Sequence, residues 1–226
     1  MRTPSLSDLS SQIRLRVYRG VGNGAALAEL TADGEAGAGG QRFARCVVLD
    51  LGNVVSDFHV RSAVLKAILC TVPDSGFRGK AGSFRGNVLF NLAATGKVSD
   101  TVAQFGVSAA STSVAVVGWV PPAAAAAAAE AEVGAGPGAG AGAGAAVAAD
   151  DAADDAAAAA AAEYEELAAA VQGQEFDPAL LLSDAEFTSD DKKQRLVKMY
   201  KITPAELEMS SLEDCVVTRL AVKEVL

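Results

Sequence analysis

The residue types most often used in catalysis are scarce in this sequence and widely separated. His59 is the only histidine, and no nucleophile stands at a fixed spacing from it. In the helical pattern that follows Ser56, His59, Ser62 and Lys66 fall at positions i, i+3 and i+7, which places them along one outer face. We therefore predict that His59 is a surface residue rather than a general base. We expect a protein that is not an enzyme.

The three cysteines do not form a recognisable metal or disulfide pattern. Cys46, Cys70 and Cys215 are odd in number and far apart, and the sequence contains no C-x-x-C pair. Buried free thiols are the favoured interpretation. No cofactor or metal is expected.

A glycine-rich turn supplies the main alternative, a nucleotide-dependent enzyme. Gly20 to Ala25 satisfies G-x-G-x-x-A and follows a predicted strand over residues 13–19. A dinucleotide fold also requires a longer crossover helix and repeated βα units, which the sequence lacks. The Gly79-Lys80 pair is followed by Ala81, so it does not match a phosphate loop either. A permissive turn into a short helix is the simpler interpretation.

Charge is distributed unevenly along the chain, whose formal net charge is -9. Residues 42–97 contain eight basic and three acidic residues, a local balance of +5, whereas residues 98–191 contain no Lys or Arg. The acidic overall balance therefore does not exclude an anionic partner for the basic tract. The basic residues of this tract that we consider for RNA binding are Lys66, Arg78, Lys80, Arg85 and Lys97.

The hydrophobic pattern predicts one α/β domain with a small mixed sheet of three to four strands and five to seven helices. Strands are predicted near residues 13–19, 46–50 and 113–120, and a fourth near 174–176 is left open. The predicted helix caps are Ser56, Ser99, either Thr188 or Ser189, and Thr203, and Thr203 with Glu206 forms a capping box. Val102 and Phe105 are predicted to share one apolar face.

One segment does not fit a packed domain. Residues 121–162 are almost entirely Ala, Gly and Asp, so they offer little side-chain area to offset the entropy of ordering. We predict a disordered insertion here, with residues 1–120 and 163–226 forming the single domain. The sequence has no run of 18 large apolar residues and no apolar leader, so a soluble intracellular protein is expected.

Two phrases of the sequence resemble the TPRKB family, the kinase-binding subunit of the KEOPS (also called EKC) complex. The first is LFNLAATGKVSDTVAQFGVS, and its matching residues are Phe90, Asn91, Leu92, Val98, Ser99, Asp100, Phe105, Gly106, Val107 and Ser108. The second is the closing stretch from Val197, with Tyr200, Lys201, Leu212, Asp214, Arg219 and Lys223 on the pattern. Asn87 departs from the pattern, because the family usually has an acidic residue there.

The resemblance implies a non-catalytic subunit that binds the small atypical kinase (ATPase) of KEOPS and, through it, the threonylcarbamoyl-transferase subunit. Such a subunit supports threonylcarbamoyladenosine modification of transfer RNA in the nucleus and cytoplasm, and helps hold the tRNA. The last helix carries Leu212, Val216 and Leu220 on one face, which is either core or kinase-binding surface. A free-standing RNA-binding module is a further alternative.

Overall fold

A four-stranded sheet forms the centre of the fold, and the predicted α/β class is confirmed. The computed structural model describes residues 12–31, 42–71, 83–95, 97–120, 145–182 and 189–223. The strands are β1 (Ile13–Arg19), β2 (Cys46–Asp50), β3 (Ser113–Trp119) and β4 (Gln174–Phe176), in the order β2-β3-β1-β4. The three predicted strands are present, and so is the fourth near residues 174–176. Each neighbouring pair is antiparallel, whereas a mixture of strand directions is the expectation from the sequence.

Both faces of the sheet are covered, and this explains the continuous apolar run in β3. Ala115 and Val117 point into one core, together with Val17 of β1. Val114 and Val116 point into a second core on the other face. Because successive side chains of a strand alternate between faces, a central strand between two layers of helices needs apolar residues at every position.

Helices on the first face come from both halves of the chain. The central part of the sequence supplies α2 (Asp57–Leu69), α3 (Phe84–Leu92) and α4 (Val98–Phe105). The buried apolar face of α2 consists of Val60, Ala63, Val64, Ala67 and Ile68. The C-terminal part supplies α6 (Asp190–Tyr200) and α8 (Leu212–Val222), with the short α7 (Pro204–Met209) between them.

The second face is covered by α1 (Gly24–Leu30) and α5 (Ala145–Ala169). Tyr164 of α5 lies over β3 at Gly118, where an added Cβ would be 2.5 Å from Tyr164 Cδ2. The absence of a side chain at Gly118 therefore lets this large ring reach the sheet. In total the described residues contain eight α-helices, one more than the upper limit predicted.

Helix caps are predicted well where the side chain and the backbone donor are close in sequence. Ser56 and Ser189 accept hydrogen bonds from backbone N–H groups three residues later, and the Thr203–Glu206 capping box is complete. The prediction for α4 is wrong. Its cap is Lys97, which makes no side-chain capping bond, and Val102 is 42% exposed while Phe105 is buried.

The last part of the Ala-rich segment is helical and packs on the domain. Residues 121–144 lie outside the described residues, but α5 begins at Ala145 and Ala160 is only 3% exposed. Alanine has the highest helix propensity, and the last turns of α5 gain tertiary packing through Tyr164 and Leu167. Part of the stretch predicted to be disordered therefore belongs to the helical layer.

We expect Ala160→Gln to lower the free energy of unfolding by about 1 to 2 kcal/mol, because it buries a side-chain amide that has no hydrogen-bond partner at this position. The matched variant Ala159→Gln changes an exposed position of the same helix and should be nearly neutral. Urea denaturation of the two variants measures the difference. Equal stability of the two would show that this turn of α5 does not pack as described.

Candidate functional site

The single histidine is in the core, so its predicted place on an outer face of α2 is wrong. His59 is completely buried. Its Nδ1 accepts a hydrogen bond from the backbone N–H of Val55 at 3.3 Å, and its Nε2 lies 3.2 Å from the carbonyl oxygen of Leu92. These two partners select the tautomer with the proton on Nε2, which donates to Leu92.

Tyr200 completes this buried group of polar atoms. Its hydroxyl donates to the Leu92 carbonyl at 2.5 Å and lies 3.4 Å from His59 Nε2. The pKa of His59 is lowered to about 4, mainly by burial; the hydrogen bond to Leu92 opposes this shift and the nearby charge of Lys192 adds to it. His59 is therefore neutral at physiological pH and joins α2, α3 and α6. Its geometry is structural and offers no base to a substrate.

The cysteines are free thiols, as predicted. Cys46 and Cys215 are buried and Cys70 is half-buried. Burial raises the pKa of Cys46 to about 12, so this thiol is not a reactive thiolate. Among the described residues, no group of three or more His, Cys, Asp or Glu side chains could hold a metal ion.

The Gly20–Ala25 turn is packed against the protein rather than open to a ligand. The backbone N–H groups of Val21 and Gly22 already donate to Thr112 and Gln172. The side chain of Asn23 bonds to the end of α5, through the carbonyl oxygen of Ala170 and the N–H of Gln172. Since β1 also has only antiparallel neighbours, this turn lacks both the free donors and the parallel βαβ setting of a dinucleotide site.

Two of the residues considered for RNA binding hold the fold together. Lys66 Nζ donates to the carbonyl oxygen of Leu220 at 2.8 Å, and Arg85 donates to the carbonyl oxygen of Thr31. Both side chains are half-buried. Lys97 is exposed. Arg78 and Lys80 lie outside the described residues.

The apolar face of α8 is mostly core. Val216 is fully buried and Leu220 is 4% exposed, and both belong to the larger core on the first face of the sheet. Leu212 is half-buried and packs against that core. Of the three residues considered for kinase binding, only Leu212 therefore keeps accessible surface in this chain.

A groove between α6 and α7 is absent from the sequence-based predictions. It is a shallow groove of about 700 Å³ that is largely open to solvent, and its apolar lining includes Val197, Ile202 and Leu207. Lys193, Lys198 and Lys201 line the same groove. In the sequence the basic residues of this region indicate only a favourable interaction with the helix dipole. The sequence does place Lys198 and Lys201 next to the apolar residues Val197 and Ile202, where two predicted helices join. This pattern could have predicted the groove.

Apolar side chains are also exposed elsewhere in the described parts of the chain. Phe58 is 55% exposed, Leu180 is 47% exposed and Met209 is 86% exposed. Exposed apolar residues of this size are common at surfaces that bind other proteins, although single ones are normal. No helix among the described residues is long and apolar enough to cross a membrane.

The described domain combines an α/β fold and a histidine buried in the core with a few exposed apolar side chains. The sequence model of the family described as "Kinase binding protein CGI-121" matches residues 18–224. Since the match covers nearly the whole chain, the protein belongs to this family of kinase-binding proteins. The resemblance to the TPRKB family is thereby confirmed. No curated protein gives a significant match to the chain.

Proposed function

We propose that this chain is the non-catalytic subunit that binds the small atypical kinase of the KEOPS (EKC) complex. The observation that carries the proposal is the family match over residues 18–224. The environment of His59 supports it, because the only histidine serves the core instead of a catalytic cleft. Through the kinase, the chain associates with the threonylcarbamoyl-transferase subunit in the nucleus and cytoplasm and supports threonylcarbamoyladenosine modification of tRNA.

We expect the purified chain to form a one-to-one complex with the KEOPS kinase homologue of the same organism at micromolar concentrations. Size-exclusion chromatography with light scattering gives the stoichiometry directly. An unrelated protein kinase of similar size serves as the control, and it should elute separately from the chain. Separate elution of the KEOPS kinase as well would remove the main functional proposal and favour a free-standing RNA-binding module.

We propose further that the subunit helps hold tRNA through its basic central tract, using Arg78, Lys80 and Lys97. Phosphate binding needs accessible cations, and Lys97 is exposed. Lys66 and Arg85 do not belong in a test of this proposal, because their replacement would leave the carbonyl oxygens of Leu220 and Thr31 without these donors. Such a change would confuse folding with binding.

We expect the triple variant Arg78→Ala, Lys80→Ala, Lys97→Ala to bind tRNA more weakly. The slope of log affinity against log salt should flatten by about 0.7 to 0.9 for each phosphate that the variant no longer neutralises. Filter binding at several salt concentrations measures both effects. The matched control replaces three other exposed lysines by alanine, Lys193, Lys198 and Lys201, and should bind tRNA as the natural chain does. Unaltered affinity and slope in the folded triple variant would contradict this use of the tract.

A further inference from the structure

The groove between α6 and α7 combines an apolar floor with a basic rim. Ile202 at the base of the groove is buried, and Val197 and Leu207 are half-buried beside it. Ile202 is held in place because its backbone N–H donates to the carbonyl oxygen of Val197 at 2.9 Å. Pro204 lines the groove at the start of α7 and is exposed. The floor therefore offers aliphatic contact area to a partner.

The rim carries three lysines that point to a partner of opposite charge. Lys193, Lys198 and Lys201 are all exposed, and none forms an ion pair with a carboxylate in the described ranges. Asp190 is the only acidic residue that lines the groove, so its lining has a balance of three positive charges against one negative. The chain as a whole carries -9, so the positive charge of this groove is opposite in sign to the net charge of the molecule.

Lys201 has a backbone conformation that side chains rarely adopt. It ends α6 in the left-handed region, with φ 51° and ψ 44°, and is the only non-glycine residue with positive φ in the described part of the chain. Glycine is the usual residue at such a helix end because it has no steric cost there. A lysine at this position has a backbone conformation of higher energy than glycine would have, and such strained residues are concentrated at functional sites.

The turn that carries Lys201 is fixed in place by its neighbours. Arg219 of α8 donates to the carbonyl oxygen of Lys201 at 3.3 Å and pairs with Glu206 of α7 at 2.7 Å. Glu206 also closes the capping box with Thr203. A groove whose walls are fixed before binding loses little conformational entropy when a partner binds.

We infer that this groove is the surface on which the chain binds an acidic segment of its kinase that also carries aliphatic side chains. Aliphatic residues of the segment contact Val197, Ile202 and Leu207, while its carboxylates pair with Lys193, Lys198 and Lys201. The inference rests on the proposed kinase-binding function and adds the location and chemistry of the interface. RNA fits less well, because no aromatic side chain lines the groove to stack with bases.

The first test is the double charge reversal Lys193→Glu, Lys198→Glu, measured by isothermal titration calorimetry with the KEOPS kinase homologue. We expect binding about tenfold weaker, with a much smaller salt dependence of the affinity. The matched control Arg14→Glu, Arg42→Glu reverses two exposed cations outside the groove and should stay within about twofold of the natural chain, since the exposed ion pair of Arg42 with Glu166 contributes little. Equal affinities of the two double variants would overturn the inference.

The second test uses Lys201→Gly, which should have opposite effects on stability and binding. Glycine relieves the left-handed strain, so the melting temperature should rise by about 2 to 4 °C. Kinase affinity should fall about threefold, because one cation is removed. Lys201→Arg keeps the charge and should preserve affinity. Since a purely structural residue would change binding and stability in the same direction, unchanged binding in the more stable variant contradicts the inference.

The same variants also show whether the groove binds tRNA or a second copy of this chain instead of the kinase. If the natural chain fails to bind the kinase, both the proposed function and this inference are overturned. If it binds and the groove variants bind equally well, only the location is wrong. Loss of tRNA binding in Lys193→Glu, Lys198→Glu with intact kinase binding would replace the inference with an RNA site. Self-association of the natural chain that the variant abolishes would replace it with a dimer interface.

Discussion

Lowering the pH from 6.5 to 4 is expected to reduce the free energy of unfolding by about 3 kcal/mol through His59 alone. The pKa of this buried imidazole is about 4 in the folded chain, against an ordinary value of 6.5. Between these values the unfolded chain binds a proton that the folded chain does not. The contribution of neutral His59 is therefore fully present above pH 6.5 and is lost as the pH falls toward 4, by about a factor of ten in the folding equilibrium per pH unit.

Urea denaturation at pH 7 and at pH 5 measures this dependence, with His59→Gln as the matched control. Glutamine can donate a hydrogen bond to the Leu92 carbonyl but does not titrate. The variant should be less stable at pH 7 and should lose much less stability on acidification. Because the chain has no other histidine, few other groups titrate between pH 5 and 7. Parallel losses in the two proteins would show that His59 is not buried in its neutral form.

Gly24→Ala is expected to cost about 2 to 3 kcal/mol of stability, although Gly24 has no positive φ that alanine would strain. A Cβ at this position would lie 2.4 Å from the carbonyl oxygen of Ser108. That oxygen cannot move freely, because it accepts a hydrogen bond from the N–H of Ser111. Ser111 is in turn held by the carboxylate of Asp50, to which its hydroxyl donates.

Gly22→Ala is the matched control for this prediction, because nothing lies within 4 Å of a Cβ at Gly22. Thermal denaturation should show a lower melting temperature for Gly24→Ala and almost none of this effect for Gly22→Ala. Nucleotide titration of Gly22→Ala also tests the nucleotide-binding alternative. In a dinucleotide fold the second glycine of the motif approaches the pyrophosphate, so replacement of Gly22 would abolish binding. A nucleotide that binds the natural chain tightly, but not Gly22→Ala, would revive that alternative.

The elements predicted correctly are those specified by residues close in sequence. Ser56 and Ser189 cap helices by accepting hydrogen bonds from backbone N–H groups three residues later. The two residues of the Thr203–Glu206 capping box are also three positions apart in the sequence. The run of apolar residues in β3 also predicts its burial directly. The absence of parallel pairs among the described strands is not predictable in this way, since strand direction depends on connections over long stretches of chain.

The predictions that fail depend on partners far away in sequence. The polar neighbours of His59 along α2 indicate an outer face, but Tyr200 lies 141 residues later and covers the ring. Lys66 has the pattern of a surface cation, yet its acceptor in α8 is 154 residues away. The groove between α6 and α7 requires two helices to meet at a defined angle. No periodicity within either helix specifies that angle.

The last described turn of the chain closes the end of α3. Lys223 Nζ donates to the carbonyl oxygens of Phe90 and Ala93, 133 and 130 residues earlier in the sequence. At synthesis rates of about 5 to 20 residues per second, Lys223 is added roughly 6 to 26 s after Ala93. During that interval the carbonyl oxygens of Phe90 and Ala93 lack this donor, and the ring of Phe90 lacks the ammonium group that later lies 3.5 Å from its centroid. The end of α3 is therefore completed only after α8 and Lys223 have been synthesised, so the yield of the protein in cells should depend on chaperones that bind incompletely folded chains.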